Sequence, residues 1–152
     1  MRIRIDLAYD GTDFKGWARQ PTLRTVQGEL EQALATVLRV PDTQVVCAGR
    51  TDAGVHSRGQ VAHLDIDDEL IVADEAGRRH GGPPTIDSMP RRLNGLLPRD
   101  LRVHRVSVAP VGFDARFSAI WRRYAYRIAD RAELHDPLRR NYVVNWPREL
   151  DE

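Results

Sequence analysis

Arg2-Ile3-Arg4-Ile5-Asp6-Leu7-Ala8-Tyr9 sets its apolar side chains on alternate positions, at Ile3, Ile5, Leu7 and Tyr9. A period of two marks a strand with one buried face, and the rest of the chain is read outward from it. Asp10-Gly11-Thr12-Asp13 punctuates the strand. Thr25 then precedes Val26, Leu30, Ala33, Leu34, Val37 and Leu38, the stripe of an amphipathic helix with a hydroxyl at its cap. Pro41 closes that helix. Val45 and Val46 read as the end of a second, buried strand, and Gln60-Val61-Ala62-His63-Leu64-Asp65-Ile66 as a third paired with it. The connection between them, Cys47-Ala48-Gly49-Arg50-Thr51-Asp52-Ala53-Gly54-Val55-His56, is therefore a strand-to-strand loop.

Residues 67 to 87 change character, from Asp67, Asp68 and Glu69 to Arg78-Arg79-His80-Gly81-Gly82-Pro83-Pro84. They read as a surface insertion, mobile at its tip. Ser88 can cap a short helix with Pro90 in its first turn and Leu93, Leu96 and Leu97 on its buried side, and Pro98 ends it. Leu101-Arg102-Val103 and Val106-Ser107-Val108 alternate out of phase, so a bulge near His104-Arg105 would keep one face buried. A final strand is expected over residues 119 to 128, with Tyr124, Tyr126 and Ile128 on one face. The order strand, helix, strand, strand, helix, strand gives an α+β fold of the ferredoxin-like, split βαβ kind, with two helices on one face of an antiparallel sheet. The other face would stand open, a platform suited to RNA, although such folds host many unrelated functions.

Of 152 residues, 41% are hydrophobic and 30% charged, the balance of a soluble globular chain with no apolar run of membrane-spanning length. A single cysteine, Cys47, excludes an internal disulfide framework and reads as a small buried hydrophobe. With no secretory pattern at the start, this favours the cytoplasm. The net charge of +1 hides an asymmetry. Residues 1 to 76 carry 8 basic and 13 acidic groups, and residues 77 to 152 carry 15 and 9. All the basic residues but Lys15 are Arg, which suits phosphate forks and base stacking, though genomic base composition explains that choice equally well. Composition does not explain the interleaving of Arg116, Arg122, Arg123 and Arg127 with Phe117, Trp121, Tyr124 and Tyr126, the footprint of a surface for single-stranded or looped nucleic acid.

Asp52 stands between Gly49 and Gly54 at the end of an apolar run, where glycines permit unusual backbone angles or close ligand approach. Arg50 could orient an anionic ligand or hold that carboxylate ionised. The residues alone leave two readings open, a reactive carboxylate or an Asp bonded to its own turn.

Ala48-Gly49-Arg50-Thr51-Asp52-Ala53-Gly54-Val55-His56, followed by Gly59-Gln60-Val61, resembles the signature motif of the tRNA pseudouridine synthase I family. Further segments match in the same order: Tyr9-Asp10-Gly11-Thr12-Asp13-Phe14-Lys15-Gly16-Trp17, Thr25-Val26-Gln27, Asn94 with Leu97-Pro98, and Phe113-Asp114-Ala115-Arg116-Phe117-Ser118-Ala119 leading into Arg123-Tyr124-Ala125-Tyr126. Several ordered motifs are far more specific than one glycine-rich loop. The resemblance implies the pseudouridine synthase fold and an isomerase that converts uridine to its C-glycoside, without a cofactor, at positions 38 to 40 in the anticodon stem-loop of tRNA. It implies Asp52 as the catalytic carboxylate, attacking ribose C1′ or removing the 2′ proton to give a glycal. Arg50 would help push the base from its stack, and Tyr124 would stack on the flipped uracil, since a phenol is a poor base at neutral pH. Gly49, Thr51 and Gly54 would shape the substrate side of the loop, Arg116, Arg122 and Arg123 would meet phosphates, and Lys15 and Trp17 would share that RNA face. His56 would brace the loop, and His63 is read as structural.

The family's proteins continue through a second, similar half. On that basis residues 1–112 are expected to form the ferredoxin-like domain, with its insertion near 67–87. Residues 113–152 would be a strand and the start of an incomplete second catalytic half, so the chain is expected to be truncated, and the full-length protein a homodimer. Two rival readings are a non-catalytic RNA-binding module that keeps the platform without the chemistry, and a phosphate or nucleotide enzyme using the loop as an anion nest. The second ranks last, because a central Asp would repel phosphate and no helix follows the loop.

Overall fold

The computed structural model describes residues 1–72 and 82–151. The expected tip of the insertion lies outside the described residues. The chain forms two compact units, Met1–Ala119 and Ile120–Glu152.

In the first unit the alternating segment is β1, Arg2–Tyr9, with Ile3, Ile5, Leu7 and Tyr9 all buried. Four strands make one antiparallel sheet in the order β2-β3-β1-β4, where β2 is Val46–Cys47, β3 is Ser57–Asp65 and β4 is Leu101–Val108. Two helices, α1 at Val26–Leu38 and α2 at Met89–Leu96, share one core with the buried face of β1 through Val26, Leu30, Leu34, Val37, Met89 and Leu93. The architecture is α+β, a four-stranded antiparallel sheet with two helices.

Helix α1 begins as the sequence indicates, with the Thr25 hydroxyl accepting the Gly28 N–H. It stops at Leu38, where Arg39 turns into the left-handed region at φ 58° ahead of Pro41. A charged residue, Glu31, occupies its buried stripe at 3% exposure. Its carboxylate accepts from Gln27 Nε2 at 2.8 Å, from the Val45 N–H at 3.0 Å and from Arg19 Nη1 at 3.2 Å. Burying a carboxylate is tolerable only when its oxygens are satisfied in this way. Glu31→Ala is expected to cost about 1–3 kcal/mol, because the Val45 N–H loses its acceptor. Urea denaturation reads this, and an unchanged midpoint would refute it.

The bulge appears where the phase slip placed it. Asp6 pairs with Arg105 and Leu7 with Val103, so His104 is the extra residue that returns β4 to phase. Asn94 of α2 clasps the same strand, donating from Nδ2 to the Val103 carbonyl at 2.8 Å and accepting the Val103 N–H at 2.9 Å.

Other expectations are corrected. Ser88 precedes α2 but does not cap it. Its hydroxyl points back to donate to the Thr85 carbonyl at 3.0 Å and accept the Thr85 N–H at 2.9 Å. Leu93 and Leu97 are buried as expected, yet Leu96 is 52% exposed, because an eight-residue helix presents only about one apolar side chain per turn to its neighbour. The sheet face away from the helices is not wholly open. The segment around Phe113 crosses it, with the Phe113 carbonyl accepting from Arg2 at 2.6 Å and its ring meeting Arg4 and His63.

The strand expected over residues 119 to 128 is not formed. In the second unit the ladder among the described residues is a short parallel one between Ile128–Ala129 (β5) and Val144–Asn145 (β6). Tyr124 and Tyr126 are exposed and have no ladder partner among the described residues. An alternating pattern supplies a face but not the neighbouring strand that would fix it. Among the described residues no helix is long and apolar enough to cross a membrane.

Candidate active site

The loop from Ala48 to His56 is held by three sets of bonds. From the sheet, the Ala48 N–H donates to the Val61 carbonyl at 2.8 Å, and Gln60 Nε2 donates to the Gly49 carbonyl at 2.7 Å. From β1, the Tyr9 hydroxyl bonds Thr51 Oγ1 at 2.8 Å and accepts from Gln60 Nε2 at 3.3 Å. From the 10–17 loop, the Trp17 N–H donates to the Thr51 carbonyl at 2.9 Å, and the Gly54 N–H donates to the Phe14 carbonyl at 3.2 Å.

Two glycines let the loops touch. A Cβ on Gly11 would lie 2.0 Å from the Val55 carbonyl oxygen, and Gly16, at φ +91°, faces the Thr51 carbonyl. Gly54 has φ +79° with open space around it, so it serves the turn's backbone angle. Gly49 is not in the left-handed region. What its position contributes is the carbonyl that Gln60 holds.

Within this braced frame the Asp52 side chain is exposed and makes no hydrogen bond or ion pair among the described residues. The turn closes through its backbone instead, with the Val55 N–H donating to the Asp52 carbonyl at 3.2 Å. The carboxylate is therefore not bonded to its own turn. Arg50 is also exposed, and no ion pair joins it to Asp52. Burial pushes the Cys47 thiol up, while the charges of Arg50 and Arg116 draw it partly down, so both guanidinium groups are electrostatic neighbours of that end of β2.

The remaining expected residues divide by position. Lys15 is exposed on the 10–17 loop, with its backbone N–H donating to the Arg24 carbonyl at 2.9 Å. Trp17 does not belong to an RNA-facing surface: it is 1% exposed and packs in the core against Tyr9, supporting the loop from below. Thr51 is half-buried, and its hydroxyl meets Tyr9. Arg116 is exposed beside the Phe117 ring at 5.4 Å. Arg122, Arg123 and Tyr124 are exposed residues of the second unit. His56 braces the loop as expected, accepting the Gly11 N–H on Nδ1 at 3.0 Å, with Asp10 Oδ1 also 3.0 Å away. Among the described residues no group of three His, Cys, Asp or Glu side chains could hold a metal ion.

Sequence reading passed over Tyr9 and Gln60 as supports of the loop. The available signal was a polar side chain at position 60, which the strand register places opposite Leu7 and buries. The role of His63 is now specific. It is buried, and its Nδ1 accepts the Ala115 N–H at 3.0 Å, fastening the 113–118 turn to the sheet. Asp114 then accepts from the Arg116 and Phe117 N–H groups and orders that turn.

Burial, aided by Arg2, lowers the pKa of the His63 imidazole below its usual range, against opposing pulls from Asp114 and Asp65. The folded state thus favours the neutral ring. The corresponding stability is complete above the ordinary histidine value of about 6.5 and is lost as pH falls through it toward the lower folded value. The protection factor of the Ala115 amide, its exchange rate referred to the intrinsic rate at each pH, is expected to fall below that point, and a protection factor constant with pH would refute the latch.

Residues 7–118 match the family model described as tRNA pseudouridine synthase. A curated relative named tRNA pseudouridine synthase A, from Leifsonia xyli subsp. xyli, is 54% identical over 99% of this chain and 54% of its own length. Relatives of the same name from Streptomyces griseus subsp. griseus and Mycobacterium leprae are 51% and 50% identical, again over 99% of this chain and over 50% and 52% of their own lengths. The chain spans about half the length of the curated relatives it matches. The matched residues take in the end of β1, the whole of β2, β3 and β4, both interlocked loops and the turn held by His63, and the chain belongs to the tRNA pseudouridine synthase family.

Proposed function

We propose that this chain carries the catalytic aspartate of an enzyme that isomerises uridine to pseudouridine in tRNA, with Asp52 performing the glycosidic step. The observation that carries this reading is an exposed carboxylate with no partner among the described residues, set on a loop whose backbone is fastened from three sides. A free, fixed carboxylate suits attack at C1′ or removal of the 2′ proton, because orientation is supplied before the substrate arrives. Arg50, two residues earlier in the same loop, is exposed and would meet the flipped nucleotide, and base flipping costs a few kcal/mol that such contacts offset. Family membership directs the finer assignment. The target is uridine at positions 38 to 40 of the anticodon stem-loop, with Tyr124 stacking on the base and Arg116, Arg122, Arg123 and Lys15 on phosphates.

The strand order, read from the other edge as β4-β1-β3-β2, supports the ferredoxin-like description, with residues 1–112 as that domain and residues 113–152 opening the next part. The protein acts as a cytoplasmic homodimer without a cofactor. The test is tritium release from tRNA labelled at uridine C5, measured with the full-length protein and its Asp52→Asn variant. Release at equal rates would sink the proposal.

A further inference from the structure

Beneath the loop lies a buried polar cluster that the chemistry above does not use: Tyr9, Gln60 and the inner side of Thr51. Tyr9 and Gln60 are 5% and 6% exposed. Donor and acceptor chemistry fixes the direction of the Gln60 bonds. The Gly49 carbonyl can only accept, so the Gln60 amide must present its NH₂ there, at 2.7 Å. The other hydrogen of that NH₂ goes to the Tyr9 oxygen at 3.3 Å. The Tyr9 hydroxyl also meets the Thr51 hydroxyl, at 2.8 Å, where either oxygen can donate, and the Ser57 side chain is a further hydrogen-bonding neighbour of the phenol. Thr51 is thereby tied to the core through its side chain, as Gly49 is through its carbonyl.

We propose that Tyr9 and Gln60 are positioning residues for the reaction: together they pin the Gly49-Arg50-Thr51 segment at both ends, Gln60 through the Gly49 carbonyl and Tyr9 through the Thr51 hydroxyl. Gly49 and Thr51 flank Arg50, and Thr51 adjoins Asp52, so one buried pair sets the starting point of both exposed groups. Burial raises the Tyr9 phenol above its ordinary range, which keeps its hydroxyl protonated wherever the protein is folded.

This inference rests on the proposed synthase activity, so the experiment carries Asp52→Asn as a separate control in the full-length protein. Tyr9→Phe keeps the ring that packs on Phe14 and Trp17 but deletes the bond to Thr51. Thr51→Val removes the same bond from the loop side, and Thr51→Ser restores the hydroxyl. In C5-tritium release at a temperature where each variant is folded, Tyr9→Phe and Thr51→Val are expected to lower kcat by about tenfold or more with KM within about twofold. Thr51→Ser should recover most of the wild-type rate. If Asp52→Asn is inactive while Tyr9→Phe and Thr51→Val turn over at the wild-type rate, the positioning role is overturned and the synthase reading stands. A Thr51→Ser variant as slow as Thr51→Val would overturn the hydroxyl's part. Undiminished turnover by Asp52→Asn would instead remove the reading on which the inference rests. Should Tyr9→Phe fail to fold, the Thr51 pair alone decides.

Discussion

Asp52→Asn is expected to reduce tritium release by at least about 10³-fold while leaving the fold and tRNA retention intact. The substitution replaces one carboxylate oxygen by an NH₂ of similar size on an exposed side chain with no bond to lose among the described residues. Surface changes of that kind fall within about 0.5 kcal/mol of neutral stability. Binding should be unchanged or slightly tighter, since a negative charge facing a polyanion is removed. Both routes open to Asp52 need its charge, as a nucleophile at C1′ or as a base toward the 2′ position, and an amide supplies neither. Filter retention of tRNA beside C5-tritium release separates the outcomes. A module that only binds RNA would be indifferent to the change in both assays. Loss of retention together with turnover would show that Asp52 acts through the fold, against the geometry described here.

Gly11→Ala is expected to unfasten the site from the other side. The added methyl carbon would lie 2.0 Å from the Val55 carbonyl oxygen and 2.4 Å from its carbon. Neither atom is the end of a flexible side chain, so relief requires the 10–17 and 51–55 loops to part. That would break the Gly54 to Phe14 and Trp17 to Thr51 bonds and the contact between the Gly11 N–H and His56. A cost of about 3 kcal/mol, at the upper end for overpacking, corresponds to a melting temperature lower by roughly 10 °C for a chain of this size. Gly54→Ala meets no atom, and carries only the left-handed backbone penalty of about 1–2 kcal/mol. Calorimetry of the two variants should rank them in that order. A Gly11→Ala protein melting within about a degree of the wild type would show that the loops are not locked as described.

The contrast between these glycines shows what the sequence could disclose. Strand β1, the Thr25 cap and the His104 bulge were legible because each depends on neighbours along the chain: alternation, a hydroxyl before an apolar stripe, a slip of phase. Asp52 was legible as a candidate because glycines bracket it and ordered motifs surround it. Trp17 was misplaced because an aromatic beside Lys15 in a loop carries no periodicity, and only the packing of Tyr9 and Phe14 reveals that its ring points inward. Ser88 misled because a hydroxyl before a helix can serve either direction, and Thr85 offered the closer partners. The support from Gln60 and Tyr9 depends on strand register, which joins residues 51 positions apart. No local pattern contains that information.

The interlock of the 10–17 and 51–55 segments bears on how such a site can be moved between proteins. Grafting the ten residues from Cys47 to His56 onto a foreign hairpin would transfer the aspartate without the second loop that seats it or the β1 tyrosine beneath it. A working transplant must carry two stretches of polypeptide separated by a helix, in matched register. In lineages that recombine by exchanging contiguous segments, the motif would travel only with the domain that contains both.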